Sequence, residues 1–263
     1  MATWGYGKDN GPCTWAKSFP VAAGARQSPI DIIPTAAEYD AALASTPFSI
    51  QYESENAMEL CNPGLSVKAN ITKKSVIKGG PLEGEYRLEQ FHLHWGSDNK
   101  QGSEHTINQQ MYPAELHLVH YNATKYSSFG EAVDKPDGLA VFGIFLQISD
   151  KPHPGLKTLT DLFNQVQYKN KSINLSQEFN PVCLLPANTN NYWTYLGSLT
   201  TPPCCESVTW IVFEEPITVS QDQIEAFRGL CCGECGSDAI VDNYRPPLPL
   251  GDRKLRAAFQ AKA

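Results

Sequence analysis

The uninterrupted apolar stretch from Leu139 to Leu146 constrains this chain more than any other segment. It suits a strand buried on both faces, and it is far short of the roughly 20 residues that a membrane-spanning helix requires. Other segments also read as strands. Glu85 to Trp95 is a long extended segment, Ala114 to Tyr121 alternates, and Glu206 to Phe213 places Val208, Trp210 and Val212 on one side. Helical spacing is confined to Leu156, Leu159, Leu162, Phe163 and Val166, and to a capping box, Ser220 with Gln223, opening a helix through Leu230. The 19 Gly and 19 Pro punctuate the rest as turns. No internal repeat, low-complexity tract or linker-like shift in composition divides the 263 residues. The expectation is a single domain, 1–263, mainly β (α+β), with short helices on its periphery.

Charge narrows the partners. Lys plus Arg number 21 against 28 Asp plus Glu, a formal charge of -7, and no segment collects enough basic residues to track a phosphate backbone. Nucleic acid is not an expected partner, nor is a membrane. The start, Met1-Ala2-Thr3-Trp4-Gly5, has no basic-then-apolar leader, so the expectation is a soluble protein without a secretion signal.

Eight cysteines would suffice for four disulfides, but their placement argues against a bonded framework. Cys204-Cys205 and Cys231-Cys232 are adjacent pairs, and Cys231, Cys232 and Cys235 crowd into a Gly-rich stretch. Reduced thiols and the cytosol are expected. The stretch reads as a surface turn, with a second metal or redox site as the alternative. Asn-x-Ser/Thr triplets at Asn70, Asn122, Asn170 and Asn174 pull mildly toward secretion.

Five of the six histidines, His92, His94, His105, His117 and His120, fall between positions 92 and 120. In a strand, side chains at i and i+2 share a face, so His92 and His94 project together about 6.5 to 7 Å apart. That is the geometry of two ligands to one metal. A catalytic zinc takes three protein ligands and keeps a fourth position open, and the alternating segment offers His117 or His120 as the third. Glu115, His117 and Val119 share one face while Leu116, Leu118 and His120 share the other, so only one of the two histidines faces the cavity. Glu115 beside His117 could receive the proton of its non-ligating nitrogen, which favours His117. Residue types alone leave Co and Cu open alongside zinc.

These residues sit in a longer series of motifs. It runs from Trp4-Gly5-Tyr6-Gly7 and Arg26-Gln27-Ser28-Pro29-Ile30-Asp31 through Gln90-Phe91-His92-Leu93-His94-Trp95-Gly96 and Gly102-Ser103-Glu104-His105-Thr106. It continues through Ala114-Glu115-Leu116-His117-Leu118-Val119-His120 and Gly197-Ser198-Leu199-Thr200-Thr201-Pro202-Pro203 to Val241-Asp242-Asn243-Tyr244-Arg245-Pro246. Essentially end to end, the chain resembles the α-class carbonic anhydrases, most closely the cytosolic animal type. The resemblance implies a twisted, largely antiparallel sheet of about ten strands, with Zn2+ held by His92, His94 and His117 at the bottom of a funnel. It places Gln90 and Glu115 as hydrogen-bond partners of His92 and His117. Thr200 would accept a hydrogen bond from zinc-bound hydroxide and donate its own to Glu104. Carbon dioxide would be received by an apolar wall of Val119, Val141, Leu199, Val208 and Trp210, with Thr201 on the polar side and Tyr6 organising funnel water.

The implied reaction is reversible hydration of carbon dioxide to bicarbonate and a proton. A weak esterase side activity, sulfonamide-type anionic inhibitors and a monomer are implied with it. The alternative function is a catalytically silent relative acting as a binding module. In such proteins a zinc histidine is typically replaced, whereas here all three are present with Thr200 and Glu104.

Departures from the family carry their own expectations. The position of the usual shuttle histidine falls on Leu65, no histidine lies between positions 1 and 91, and Ala2 and Thr3 occupy the stretch where extra histidines sometimes occur. Turnover limited by proton transfer follows. Lys68 is disfavoured as a substitute, because an exposed amine with pKa near 10.4 is poorly matched to a zinc water near 7. Tyr121 in place of a common Trp, and Leu196 in place of a common Pro, read as packing changes. Cys204 lacks the partner of the secreted members' disulfide, since Val21 to Gly24 contains no Cys. His105 and His120 are expected as buried structural residues, and His153 as a solvent-facing loop residue.

Overall fold

The computed structural model describes residues 4–260; Met1, Ala2 and Thr3, on which the reading of the chain's start rested, lie outside the described residues. Its centre is the strand Leu139–Ser149, whose residues Leu139 to Leu146 are all buried, as an apolar run with no polar face demands. It pairs antiparallel with Ala114–Asn122 on one side and parallel with Val208–Phe213 and Ile217–Ser220 on the other. Ala114–Asn122 in turn pairs antiparallel with the long strand Leu82–Trp95. These central strands belong to a 13-stranded sheet with ten strands along its main path. Apart from Leu139–Ser149 with its two parallel partners, the one parallel pairing in it is between Arg256–Ala257 and the edge strand Glu38–Tyr39. The mainly β expectation holds.

Alternation divides the core in two. Leu116, Leu118, Phe142, Ile144, Ile211 and Phe213 point into the larger apolar cluster, while Val119, Val141, Phe145, Val208, Trp210 and Val212 point into a second. Each such large side chain, fully buried, contributes roughly 1.5 to 3 kcal/mol. The candidate site lies on the second face.

The Leu82–Trp95 strand departs from simple alternation. Its register with Ala114–Asn122 pairs Leu88 with His120 but Gln90 with Val119, so Glu89 is an extra residue in a β-bulge. Tyr86 and Leu88 enter the larger cluster before the bulge, and Phe91, Leu93 and Trp95 after it. The bulge thereby moves the even positions Gln90, His92 and His94 to the opposite face, where His92 lies directly across from His117.

The helices are short. Pro154–Thr160 is followed by a separate 3-10 turn, Phe163–Gln165, rather than by one helix reaching Val166. Asp161 closes the first helix, its N–H bonded to the carbonyls of Lys157 and Leu159. The Ser220–Gln223 capping box is formed, and its helix, Gln221–Arg228, ends at Gly229 instead of Leu230. His153 is not a solvent-facing loop residue. It is half-buried at the start of Pro154–Thr160, where its Nδ1 accepts from Leu156 N and its own N–H donates to Gln223.

Candidate metal centre

His92, His94 and His117 come together with ring centroids 4.8 to 5.3 Å apart, and nitrogens of the three lie within 4.8 Å of one another. Cross-strand pairing of His92 with His117, and the two-residue strand period from His92 to His94, account for the convergence.

Each ring has one nitrogen committed to a protein acceptor. His92 Nδ1 donates to Gln90 Oε1 at 2.9 Å, His94 Nδ1 to the Asn243 carbonyl at 2.7 Å, and His117 Nε2 to Glu115 Oε1 at 2.8 Å. With those N–H groups used, a neutral imidazole presents a bare lone pair at the other nitrogen: Nε2 of His92 and His94, Nδ1 of His117. Burial, then the neighbouring His94 and His117, hold His92 well below its ordinary pKa, and burial lowers His94 as well. Neutral rings are the form that binds a cation.

The acidic residues beneath are as strictly held. Glu115 Oε2 accepts from the N–H groups of Glu104 and His105, both at 2.8 Å, and Oε1 accepts from His105 Nδ1 at 2.7 Å as well as from His117. Burial alone would push Glu115 upward, but the adjacent His105 and His117 imidazoles more than offset it and hold the carboxyl well below the usual range. Glu115, His105 and His117 are close enough to form a ligand group of their own, yet hydrogen bonds already link them. His105 is fully buried, with Nε2 at 2.7 Å from the Tyr195 hydroxyl.

Glu104 Oε1 accepts from Arg245 N at 2.8 Å, while Oε2 lies 3.4 Å from His94 Nε2 and 3.8 Å from His117 Nδ1. Both Glu104 Oε2 and His94 Nε2 are buried without a hydrogen-bond partner. Two unpartnered acceptors facing each other inside a protein call for a positive charge. A borderline cation such as zinc, which takes imidazole nitrogens, fits that donor set. The Thr200 to Glu104 hydrogen bond implied by the resemblance is not formed, since Glu104 Oε2 has no donor.

Above the triad opens a cavity of about 390 Å3 lined in part by Tyr6, Leu65, Lys68, Gln90 and Thr201. Burial and the nearby Glu104 raise the Tyr6 hydroxyl well above its ordinary pKa. Thr200 is buried. Val119, Val141, Val208 and Trp210 are each at most 2% exposed, with Leu199 packed on them and the Trp210 ring 4.8 Å from that of His117. Two contributors carried no assigned role in the sequence: the Asn243 backbone carbonyl, which orients His94, and Arg245, whose backbone N–H holds Glu104. Both sit in the Asn243-Tyr244-Arg245 motif, which was the available signal.

All eight cysteines are free thiols. Among the described residues, no converging group of three metal-binding side chains includes Cys231, Cys232 or Cys235. Asn122 is 1% exposed and bonded to Tyr86 and the Asp137 carbonyl, leaving no room for a glycan.

A mixed sheet thus carries three imidazoles with nitrogens close enough to one another to hold one metal ion. The family model of the eukaryotic-type carbonic anhydrase matches residues 10–259. Carbonic anhydrase 7 of Mus musculus is 50% identical over 263 residues, covering 98% of each chain, and its Homo sapiens counterpart is 49% identical with the same coverage. Carbonic anhydrase 1 of Mus musculus is 45% identical, covering 98% of this chain and 99% of its own. The chain belongs to the eukaryotic-type carbonic anhydrase family.

Proposed function

We propose that the chain is a zinc-dependent catalyst of reversible carbon dioxide hydration, with His92, His94 and His117 as the metal ligands. The observation that carries this reading is the set of three bare imidazole nitrogens, each fixed by a protein acceptor on its opposite nitrogen. Zinc, when bound, supplies the Lewis acidity that brings the pKa of water from 15.7 to about 7, a value established for carbonic anhydrase itself.

The chain supplies the rest. Carbon dioxide is uncharged and nonpolar, so it is received by apolar surface, and Val119, Val141, Leu199, Val208 and Trp210 provide it beside His117. Glu104, held by Arg245 N, has an unpartnered Oε2; with the metal bound it would accept from the Thr200 hydroxyl, a bond not formed in this structure, and so turn that hydroxyl's lone pair toward the reacting oxygen. Thr201 and Gln90 line the polar side. Proton export has no resident histidine carrier: Leu65 occupies the wall, and Tyr6, already far above neutrality as a phenol, is raised further by burial. Turnover is therefore limited by transfer to buffer.

Stripping the metal should abolish stopped-flow hydration and zinc add-back should restore it, with the rate rising with imidazole-type buffer concentration. Activity that survives complete metal removal overturns the metal assignment, and a buffer-independent rate overturns the proton limit. A silent binding module would show neither activity nor restoration. The same site would hydrolyse activated esters slowly and take sulfonamide-type inhibitors. A single monomeric domain in the cytoplasm completes the reading; its support is the free state of every cysteine, Cys204 included.

A further inference from the structure

The cavity wall carries one cationic side chain. Among the residues lining it, Lys68 is the sole Lys or Arg, in a protein whose formal charge is -7. Lys68 opens the strand Lys68–Asn70 and lies directly across from His92, so both side chains stand on the funnel face with Cβ atoms about 4.5 to 5.5 Å apart. Some surface lysines find acids, as Lys74 and Lys78 meet Glu85 and Lys157 meets Asp161, and others such as Lys17 and Lys100 stand free in open solvent among the described residues. Lys68 differs from these in standing on a cavity wall. Lys68 forms no ion pair with any described residue. No carboxylate lines the cavity with it, because Glu104 and Glu115 are buried beneath the triad and held by backbone N–H groups. The backbone pairing of Lys68 to both Cys61 and His92 fixes where its side chain starts, and the half-buried residue lines the funnel wall.

We propose that Lys68 is an anion-recognition residue of the funnel wall, selecting ligands that carry a negative charge on the end turned away from His92, His94 and His117. This rests on the metal-site reading above and assigns Lys68 a fixed charge rather than a role in carrying protons. A cation here strengthens the field felt by an anion in a partly enclosed, partly desolvated channel, and the effect weakens with salt.

The test uses two arylsulfonamides that differ only at the tail, one ending in a carboxylate and the other in the isosteric carboxamide, each made with a one-methylene and a three-methylene spacer. Dissociation constants are measured by calorimetry on the zinc-loaded full chain. Wild type should prefer the carboxylate by roughly 2- to 10-fold at low ionic strength, and the preference should shrink at 0.5 M salt. Lys68→Gln should erase the preference and Lys68→Arg should retain it, with carboxamide affinity unchanged in both. An equal preference in wild type and Lys68→Gln, or none in wild type at either spacer length, overturns the proposal alone. Failure of both compounds to bind wild type overturns the metal-site reading, and the proposal with it.

Discussion

His117 and His120 stand three residues apart on one strand, both buried, and they have opposite surroundings. His120 points into the larger core, where Nδ1 donates to the Ala140 carbonyl at 3.1 Å and Nε2 accepts from the Tyr52 hydroxyl at 2.7 Å. Both of its nitrogens are satisfied by the protein. His117 points to the other face, where Glu115 takes one nitrogen and the second is left facing Glu104 Oε2 across 3.8 Å. A histidine with two partners is structure, whereas one with a single partner and converging neighbours is free to serve as the ligand proposed above. What separates the two is the count of satisfied nitrogens and not burial.

Removing each ring tests that contrast most strongly. His117→Ala should lower hydration by at least roughly a thousandfold and reduce bound zinc well below one per chain, because the ligand set loses a third of its donors. His120→Leu should keep zinc and activity. It should cost about 1 to 3 kcal/mol of stability, since the Tyr52 hydroxyl and Ala140 carbonyl lose their partner. Metal analysis, stopped-flow rates and urea unfolding on both variants decide it; equal metal loss in the two would dissolve the distinction.

A pH series sharpens the same comparison from the His120 side. Burial lowers the His120 pKa to about 3, while a histidine in the unfolded chain titrates near 6.5. Between those values the unfolded state binds the proton and the native state does not. The stabilising contribution is complete above pH 6.5 and is lost as pH falls toward 3, at about 1.4 kcal/mol per pH unit. Urea unfolding between pH 6 and 4 should therefore give a shallower slope in His120→Leu than in wild type, by about that amount. Identical slopes would mean that His120 is not held neutral.

Much of this contrast was legible in the sequence. Strand parity put His117 with Glu115 and Val119 and put His120 with Leu116 and Leu118, and the two apolar clusters follow that division. Parity worked because Ala114–Asn122 runs without interruption. It was insufficient for Leu82–Trp95, where the bulge at Glu89 exchanges faces; nothing in Leu88-Glu89-Gln90 marks the extra residue, which only the partner strand reveals. The motif around Asn243 was visible, but the role of its carbonyl was not, for a different reason. A backbone acceptor brought in from 149 positions away leaves no side-chain signature. His153 was misread because a histidine can cap a helix as Ser or Asp does, and Pro152 and Pro154 around it suggested only a loop.

Among the hydrogen-bond partners that leave the ligand nitrogens bare, Glu115 should matter most. Glu115→Gln replaces a carboxylate that accepts four hydrogen bonds with an amide that cannot, so His117 loses the acceptor that selects its tautomer. Zinc affinity should fall roughly 10- to 100-fold, measured by competition with a chelator.

Gln90→Leu makes the smaller change of the same kind. Gln90 is half-buried at the cavity wall and holds His92 through a single neutral bond of 2.9 Å, and water entering the funnel can replace the lost acceptor. Neutral bonds are worth about half of those to an ionised acceptor, so the loss of zinc affinity should stay below about tenfold. The ordering is what counts. A Gln90 effect as large as that of Glu115 would show that solvent does not reach His92 Nδ1, and that the wall of the funnel is as closed as its floor.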